Sequence, residues 1–427
     1  MTTLAIFALL VALLLLGLPV AAAMGLTAVI GLAALGDWSL LTIVGQRVYA
    51  STTAFPLLAI PFFILAGNLM NTGGMTERIF RFAHTLVGHM KGGLGQVNVV
   101  GSMVFAGMSG SALADAMGLG AIEVKAMTAR GYEARFAAAV SAASATVGPV
   151  IPPSIPLVLF GSMTGVSVGA LFLGGVVPGI LMGVAMMVVV GVVARRRNYP
   201  SEPRASLGEA LRGLVDGLAA LVTPAIIMGG ILGGLFTPTE ASVVACAYAL
   251  VLGLAVYREL KWRDLPRILL ETANQTAQVM FIVATAGLFG WFLIYMRVPD
   301  ALIQALTALS ANKWAVLAII NLILLVLGCF MEGIAIMLLT VPIFMPIVAK
   351  LGIDPVHFGV VMTLNLMIGL ITPPVGMALY AMSSVARVSV IELARELAPF
   401  MVAIFAVLML ITFVPGVVTW LPKLIMG

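Results

Sequence analysis

The chain has 427 residues, of which 62% are hydrophobic and only 9% charged, with a net charge of +5 and a mean hydropathy of +1.17. A soluble domain carries roughly 25% charged residues, so a large soluble fold is excluded, and with it a basic nucleic-acid-binding face on such a domain. The two cysteines, Cys246 and Cys329, both fall in apolar runs and offer neither a disulfide framework nor a metal cluster.

The opening, MTTLAIFALLVALLLLGLPVAAAM, has the length of a signal peptide but no positive n-region, and reads as the first membrane segment. Apolar segments then follow at about 3–17, 20–35, 50–70, 97–122, 137–160 and 170–194. After the polar stretch RRRNYPSEPRASLGEALRG (195–213) they resume at about 216–235, 239–257, 272–296, 314–349, 356–381 and 398–420. Such recurrence predicts a polytopic α-helical membrane protein. One long tilted helix fits the 3–35 run, but the internal repeat described below argues for two short ones.

Basic residues cluster at Arg78/Arg81/Lys91, Lys125/Arg130/Arg135, Arg195–Arg197, Arg258/Lys261/Arg263/Arg267 and Arg387/Arg395. If all five clusters are cytoplasmic, the chain crosses the membrane an even number of times between successive clusters. Only 97–122 separates the first two, and it contains AGMSGSALADAMGLG (106–120), too rich in Gly, Ser and Asp for a plain span. We read it as a re-entrant helical hairpin with its tip near Ser109–Ser111. The same parity makes 314–349, broken by CFMEGIA (329–335) and by Pro342 and Pro346, a second hairpin entering from the other side.

An internal repeat supports this division. GPVIPPS (148–154) pairs with GLITPPV (369–375) at an offset of 221, which also carries Gly107 onto Gly328 and Pro178 onto Pro399. LGLPVAAA (16–23) echoes LFTPTEAS (235–242) at 219. The expected fold is therefore all-α and polytopic, with inverted repeats over 1–197 and 216–427 joined by a cytoplasmic linker, 198–215. Each half has about five transmembrane helices, one of them broken (137–160 and 356–381), and one hairpin.

Proline removes a backbone donor and clashes with the preceding turn, so neither motif can be continuous helix. Backbone exposed to hydrocarbon is costly, and membrane proteins tolerate irregular backbone only where it is buried in protein or lines a water-filled cavity. Unwound carbonyls are hard ligands suited to sodium, while a new half-helix N-terminus favours an anion. Broken helices in matching positions of two inverted halves thus point to an ion and substrate site at mid-bilayer. Close packing alone explains any one such motif, but less well a pair at equivalent positions.

GMSGSALADAMGLG, GPVIPPSIPLVLFG, FTPTEA and GLITPPVGMALY together resemble the large membrane subunit of TRAP transporters (tripartite ATP-independent periplasmic transporters, DctM-like), over essentially the whole chain. The resemblance implies a bacterial inner-membrane protein that imports organic acids, typically carboxylates, by sodium symport and an elevator motion. It also implies two partners, a periplasmic substrate-binding protein (DctP-like) and a small four-helix membrane subunit (DctQ-like), the latter expected here as a separate chain. Carried over by position, one sodium site uses Gly107, Ser109, Gly148, Ile151 and Ser154, and its repeat-related partner Gly328, Gly369, Thr372 and Val375. Most would offer carbonyls, with hydroxyls from Ser109 and Thr372.

Candidate substrate contacts are Ser111 at the first tip, the intramembrane carboxylates Asp115 and Glu332, and Asn365 one turn before Gly369. Asp115 serves equally well as an acceptor for backbone N–H groups at the tip, and Asn365 as a partner of the unwound backbone. Glu240 in TPTE reads as a helix cap. His84, His89 and His357 form no Ser/His/Asp or metal-ligand spacing, which leaves no basis for an enzyme. No GxxxxGK[ST] loop occurs, which argues against ATP hydrolysis within the chain. A stand-alone sodium/dicarboxylate carrier shares the broken-helix logic and stays as the alternative.

Overall fold

A computed structural model describes residues 3–36, 39–109, 112–201, 203–309 and 312–427. Among the described residues the regular structure is entirely helical. The first half contains α1 (Thr3–Leu15), α2 (Val20–Ala33), α3 (Ser39–Thr52), α4 (Ala59–Thr72), α5 (Met75–Val87), α6 (Gly93–Ser109), α7 (Ala112–Ala129), α8 (Ala134–Ala145), α9 (Ile155–Thr164) and α10 (Val168–Arg196). The second contains α11 (Leu207–Leu232), α12 (Pro238–Val251), α13 (Leu265–Tyr295), α14 (Val298–Leu309), α15 (Lys313–Gly328), α16 (Gly333–Lys350), α17 (Pro355–Leu370), α18 (Met377–Ala386), α19 (Val390–Phe413) and α20 (Gly416–Met426).

The element order of the first half recurs in the second. Helices α7 and α16 are both 18 residues long and begin and end 221 positions apart. The same offset relates the breaks after α8 and α17, each of which contains a cis Pro–Pro bond. It also relates Pro178 inside α10 to Pro399 inside α19. Among the described residues seven helical stretches are long and apolar enough to cross a membrane: 55–72, 168–196, 213–232, 238–256, 262–295, 333–350 and 390–413. The last-but-one is α16 alone, so one arm of the expected second hairpin has spanning length by itself.

Local chemistry explains the boundaries. The 3–35 run is two helices, because Gly17 takes a left-handed φ of 86° and Pro19 then stands at the N-cap of α2. Thr237 and Glu240 form a capping box that starts α12, with the Glu240 N–H donating to Thr237 Oγ1 at 3.3 Å and the Thr237 N–H to Glu240 Oε2 at 2.7 Å. A second box, Ser206 with Glu209, starts α11 at Leu207. That is nine residues before the expected 216, so the polar connection between the halves is shorter than 198–215.

Three helices, α3 and the amphipathic α5 and α14, carry no span-length apolar run and were not expected. In α5, Met75, Ile79 and Ala83 are buried while Glu77 and Arg81 face outward. Averaging hydropathy over a spanning window erases such a stripe. This helix packs against α6 and α11, and Arg78 ties it to the loop after α12 through Glu259 (2.7 Å) and the Tyr257 ring.

Helices α8 and α17 occupy the centre. Phe136–Ala145 of α8 is wholly buried, and its Ala and Ser residues let α6, α7, α18 and α19 approach closely. His357–Leu370 of α17 is likewise buried. His357 is structural, its Nε2–H donating to the Ile411 carbonyl at 2.7 Å. At one end an ion cluster joins α8, α10 and α19: Arg197 pairs with Glu396 at 2.7 Å and Glu133 at 3.6 Å, and Arg135 with Glu133 at 2.5 Å. The hydrogen bond from Arg135 holds the Glu133 carboxyl below the usual carboxylate range.

Candidate transport site

The second broken helix is assembled around a backbone contact. Gly328 ends α15 and Gly369 lies in the last turn of α17. A Cβ on Gly369 would fall 2.5 Å from Gly328 Cα, and one on Gly328 would fall 2.9 Å from Gly369 Cα. Only glycine at both positions permits this approach. The turns beyond are joined by the Gly376 N–H donating to the Cys329 carbonyl at 3.1 Å. Gly376, at φ +52°, reverses the chain into α18. Thr372 stands between, its hydroxyl donating to the Ile368 carbonyl at 2.7 Å and keeping its lone pairs for another partner. Gly328, Gly369 and Thr372 are thus gathered in one place, whereas Val375 lies at the same turn with its side chain 38% exposed. The donors here are hard oxygens, the chemistry an alkali cation requires.

Glu332 caps α16, its carboxylate accepting from the Ala335 N–H at 3.2 Å. That bond occupies one oxygen at the hairpin turn beside the Gly328–Gly369 contact. Asn365 does not bond the unwound backbone, as one sequence reading had it. Its Nδ2 donates to the Asn321 carbonyl and to Asn321 Oδ1, both at 3.0 Å, and Asn321 in turn donates to Thr412 at 2.9 Å. Asn365 therefore clamps α17 to α15 and, through Asn321, to α19 with its donor end, while its buried Oδ1 is left without a hydrogen-bond partner.

The first break is more tightly held. Ser154 caps α9 by accepting from the Leu157 N–H at 3.2 Å, while its hydroxyl donates to the Pro149 carbonyl. Ile151 directs its side chain onto Gly179 of α10, a packing contact that leaves only its backbone for a ligand role. Asp115 is 6% exposed, and a Cβ on Gly148 would lie 2.9 Å from its Oδ2. Its carboxylate thus sits against the backbone of the first break and joins α7 to it, whereas the tip N–H groups it was expected to accept from lie outside the described residues. Gly107 and Ser109 fall in the last turn of α6, but the surroundings of Gly107, the side chain of Ser109 and all of Ser111 lie outside the described residues.

A buried polar network in the first half was missed. Asn98 donates to Glu123 Oε2 at 2.5 Å and to Ser141 at 2.7 Å, Ser144 donates to Asn98 Oδ1 at 2.7 Å, and Ser102 to Ser144 at 3.1 Å. The expected hairpin ended at 122, one residue short of Glu123, whereas α7 continues to Ala129. Extending the segment by one turn would have placed a carboxylate inside it. Among the described residues no three His, Cys, Asp or Glu side chains gather as for a transition metal.

A twice-repeated helical membrane chain, with each broken helix lodged against a two-helix segment, has the architecture of a secondary transporter. The family model "Tripartite ATP-independent periplasmic transporter, DctM component" matches residues 7–417. The chain is 46% identical over 382 residues to the sialic acid TRAP transporter large permease protein of Vibrio cholerae, covering 90% of each. It is 41% identical to the C4-dicarboxylate TRAP transporter large permease protein of Pseudomonas aeruginosa, covering 88% of each. Among solved structures, the Alcanivorax borkumensis YdaH transporter shares the fold, with a TM-score of 0.67 at 14% identity over 89% of this chain and 90% of that one. The chain belongs to the DctM family, the large membrane permease of TRAP transporters, and is a transporter component rather than an enzyme.

Proposed function

We propose that this permease imports an organic acid anion by sodium symport across a bacterial inner membrane, its two halves lying inverted in the bilayer. The observation that carries the reading is the pair of breaks related by 221 residues, each following a helix packed against a two-helix segment, α8 on α6 and α7 and α17 on α15 and α16. Carbonyls and hydroxyls at Gly107, Ser109, Gly148, Ile151 and Ser154, and at Gly328, Gly369, Thr372 and Val375, supply hard donors for sodium. The N-terminal ends of α9 and α18 and any bound sodium give the positive field a carboxylate needs. Ser111, Asp115 and Glu332 face the substrate path in this reading, while Asn365 sets the spacing of α15 and α17.

The relatives named for sialic acid, C4-dicarboxylates and isethionate all take organic anions, which supports an acid as cargo here. A separate periplasmic binding protein would deliver it, and a small membrane subunit would complete the scaffold. The moving unit is α6–α9 with α15–α18, sliding against the remaining helices as an elevator.

Uptake into vesicles holding the permease and its small subunit tests this, with radiolabelled sialic acid and succinate as probes. Accumulation should require an inward sodium gradient and added binding protein, and should ignore ATP. Uptake that is indifferent to sodium overturns the coupling; uptake that proceeds fully without binding protein favours a stand-alone carrier. Coupling between sites is reciprocal, so sodium should also tighten anion binding and the anion sodium binding.

A further inference from the structure

Between α5 and the α6–α7 pair lies a half-open cleft of about 320 Å³, with Ile122 at its exposed rim. Its walls are mostly hydrocarbon, from Phe80 of α5, Leu94 and Val97 of α6, and Leu119, Ile122 and Met127 of α7. Glu123 also lines it and is only 9% exposed. The carboxyl accepts from Asn98 through Oε2 and has the Ser141 hydroxyl beside it, but Oε1 itself is left without a hydrogen-bond partner. Of the other ionisable groups on the lining, Glu77, Arg81 and His84 all belong to α5. Arg81 is 61% exposed and turned to Asp216 of α11 at 3.6 Å, and Asp115 on α7 adds only like charge.

The internal repeat supplies a control. In α16, equal to α7 in length, the position equivalent to Glu123 is Phe344, buried at 5% exposure. The fold therefore accepts hydrocarbon at this point, and nothing in forming the helix pair calls for a carboxylate. An unmet acceptor in such a place is costly unless something donates to it. Water fills the space poorly, because each molecule needs about three polar partners and the lining offers few. An apolar body with a single donor end meets both features, in the pattern of small-molecule pockets.

We propose that this cavity is a binding site for an amphipathic primary amine, its ammonium donating to Glu123 Oε1 and its hydrocarbon lying on Phe80, Leu119, Ile122 and Met127. A soluble alkylamine and a bilayer aminophospholipid share that chemistry. Binding involves no transport step, so the proposal stands or falls apart from sodium coupling.

The test uses the purified permease in nanodiscs of choline phospholipid, titrated with n-octylamine, n-octanol and octanoate while thermal unfolding is followed. Octylamine should raise the midpoint saturably, octanol more weakly, and octanoate not at all. Glu123→Gln should weaken octylamine about tenfold while leaving octanol unchanged, as loss of a charge-assisted hydrogen bond requires. Ala126→Phe, which fills the cavity from its wall, should abolish both. In nanodiscs containing an ethanolamine phospholipid, a lost octylamine response identifies the lipid as occupant, and a preserved one identifies a soluble amine. Equal binding of octylamine and octanoate, or octylamine binding unchanged in both Glu123→Gln and Ala126→Phe, overturns the proposal.

Discussion

At the scale of single residues, Gly369 and Thr372 carry the sharpest expectations. A methyl group on Gly369 would press on the Gly328 backbone, and backbone cannot rotate away as a side chain does. Gly369→Ala should therefore abolish uptake. Gly118→Ala, whose Cβ would meet nothing within 4 Å on the outer face of α7, should leave uptake intact and stabilise by about 0.5–1 kcal/mol. Equal loss in both variants would mean that close approach at Gly369 is not what matters. Thr372→Ala should weaken the sodium dependence of uptake, and Thr372→Ser should preserve it; an unchanged sodium response in the alanine variant removes Thr372 from the ligand set. The glycines and prolines of both breaks were legible in the chain because backbone constraints are written in residue type. The partners of Asn365 and Glu123 were not, since a side-chain hydrogen bond depends on which helix lies opposite. Glu240 was read correctly as a cap because Thr-Pro-Thr-Glu specifies its own geometry within four residues.

At the scale of elements, apolar length revealed the spanning helices and concealed the amphipathic ones. Helix α5 announces itself only by period, with charged and apolar residues alternating every third or fourth position. The ion cluster joining α8, α10 and α19 was equally hidden, as Glu133 and Glu396 lie 263 positions apart. Its loss should loosen these helices. Arg197→Met strands Glu396, whose side chain is 10% exposed, and should cost about 1–2 kcal/mol, a figure reduced for the partial exposure of the arginine. Glu133 contributes with a definite sign. Its folded pKa is depressed, so its stabilisation is present above the ordinary carboxylate value of 4.5 and fades as pH falls through the lower folded value. Thermal midpoints recorded from pH 7 to pH 3 should fall more steeply in the wild type than in Glu133→Gln. Parallel curves would deny Glu133 that role.

For the whole molecule, the repeat was readable because an offset of 221 recurs at glycines and prolines that tolerate no drift. The inversion of the halves rests on charge parity, and labelling tests it. Cysteines at Lys91 and Lys125 should both react only from the cytoplasm, and reaction from opposite sides would turn α6–α7 into a full crossing. A disulfide between an engineered cysteine on α7 and one on a scaffold helix should halt uptake until reduced, whereas full uptake under a verified crosslink would exclude the elevator. The two breaks also differ in how firmly they are held. Ser154 fixes the Pro149 carbonyl and caps α9, while its counterpart Val375 is exposed and Gly376 offers α18 no side-chain cap. Under the sodium sites proposed above, an ion at the first break would meet Ser154 and the Pro149 carbonyl already bonded to one another, and at the second it would have to order more of its donors, which lowers affinity by the entropy of that ordering. The two sites should therefore fill in sequence, the rigid one at low sodium and the loose one only near the working concentration. On that proposal the loose site would be the sensor of the sodium gradient, and the rigid one a permanent part of the machine; a single-step sodium titration of binding would count against it.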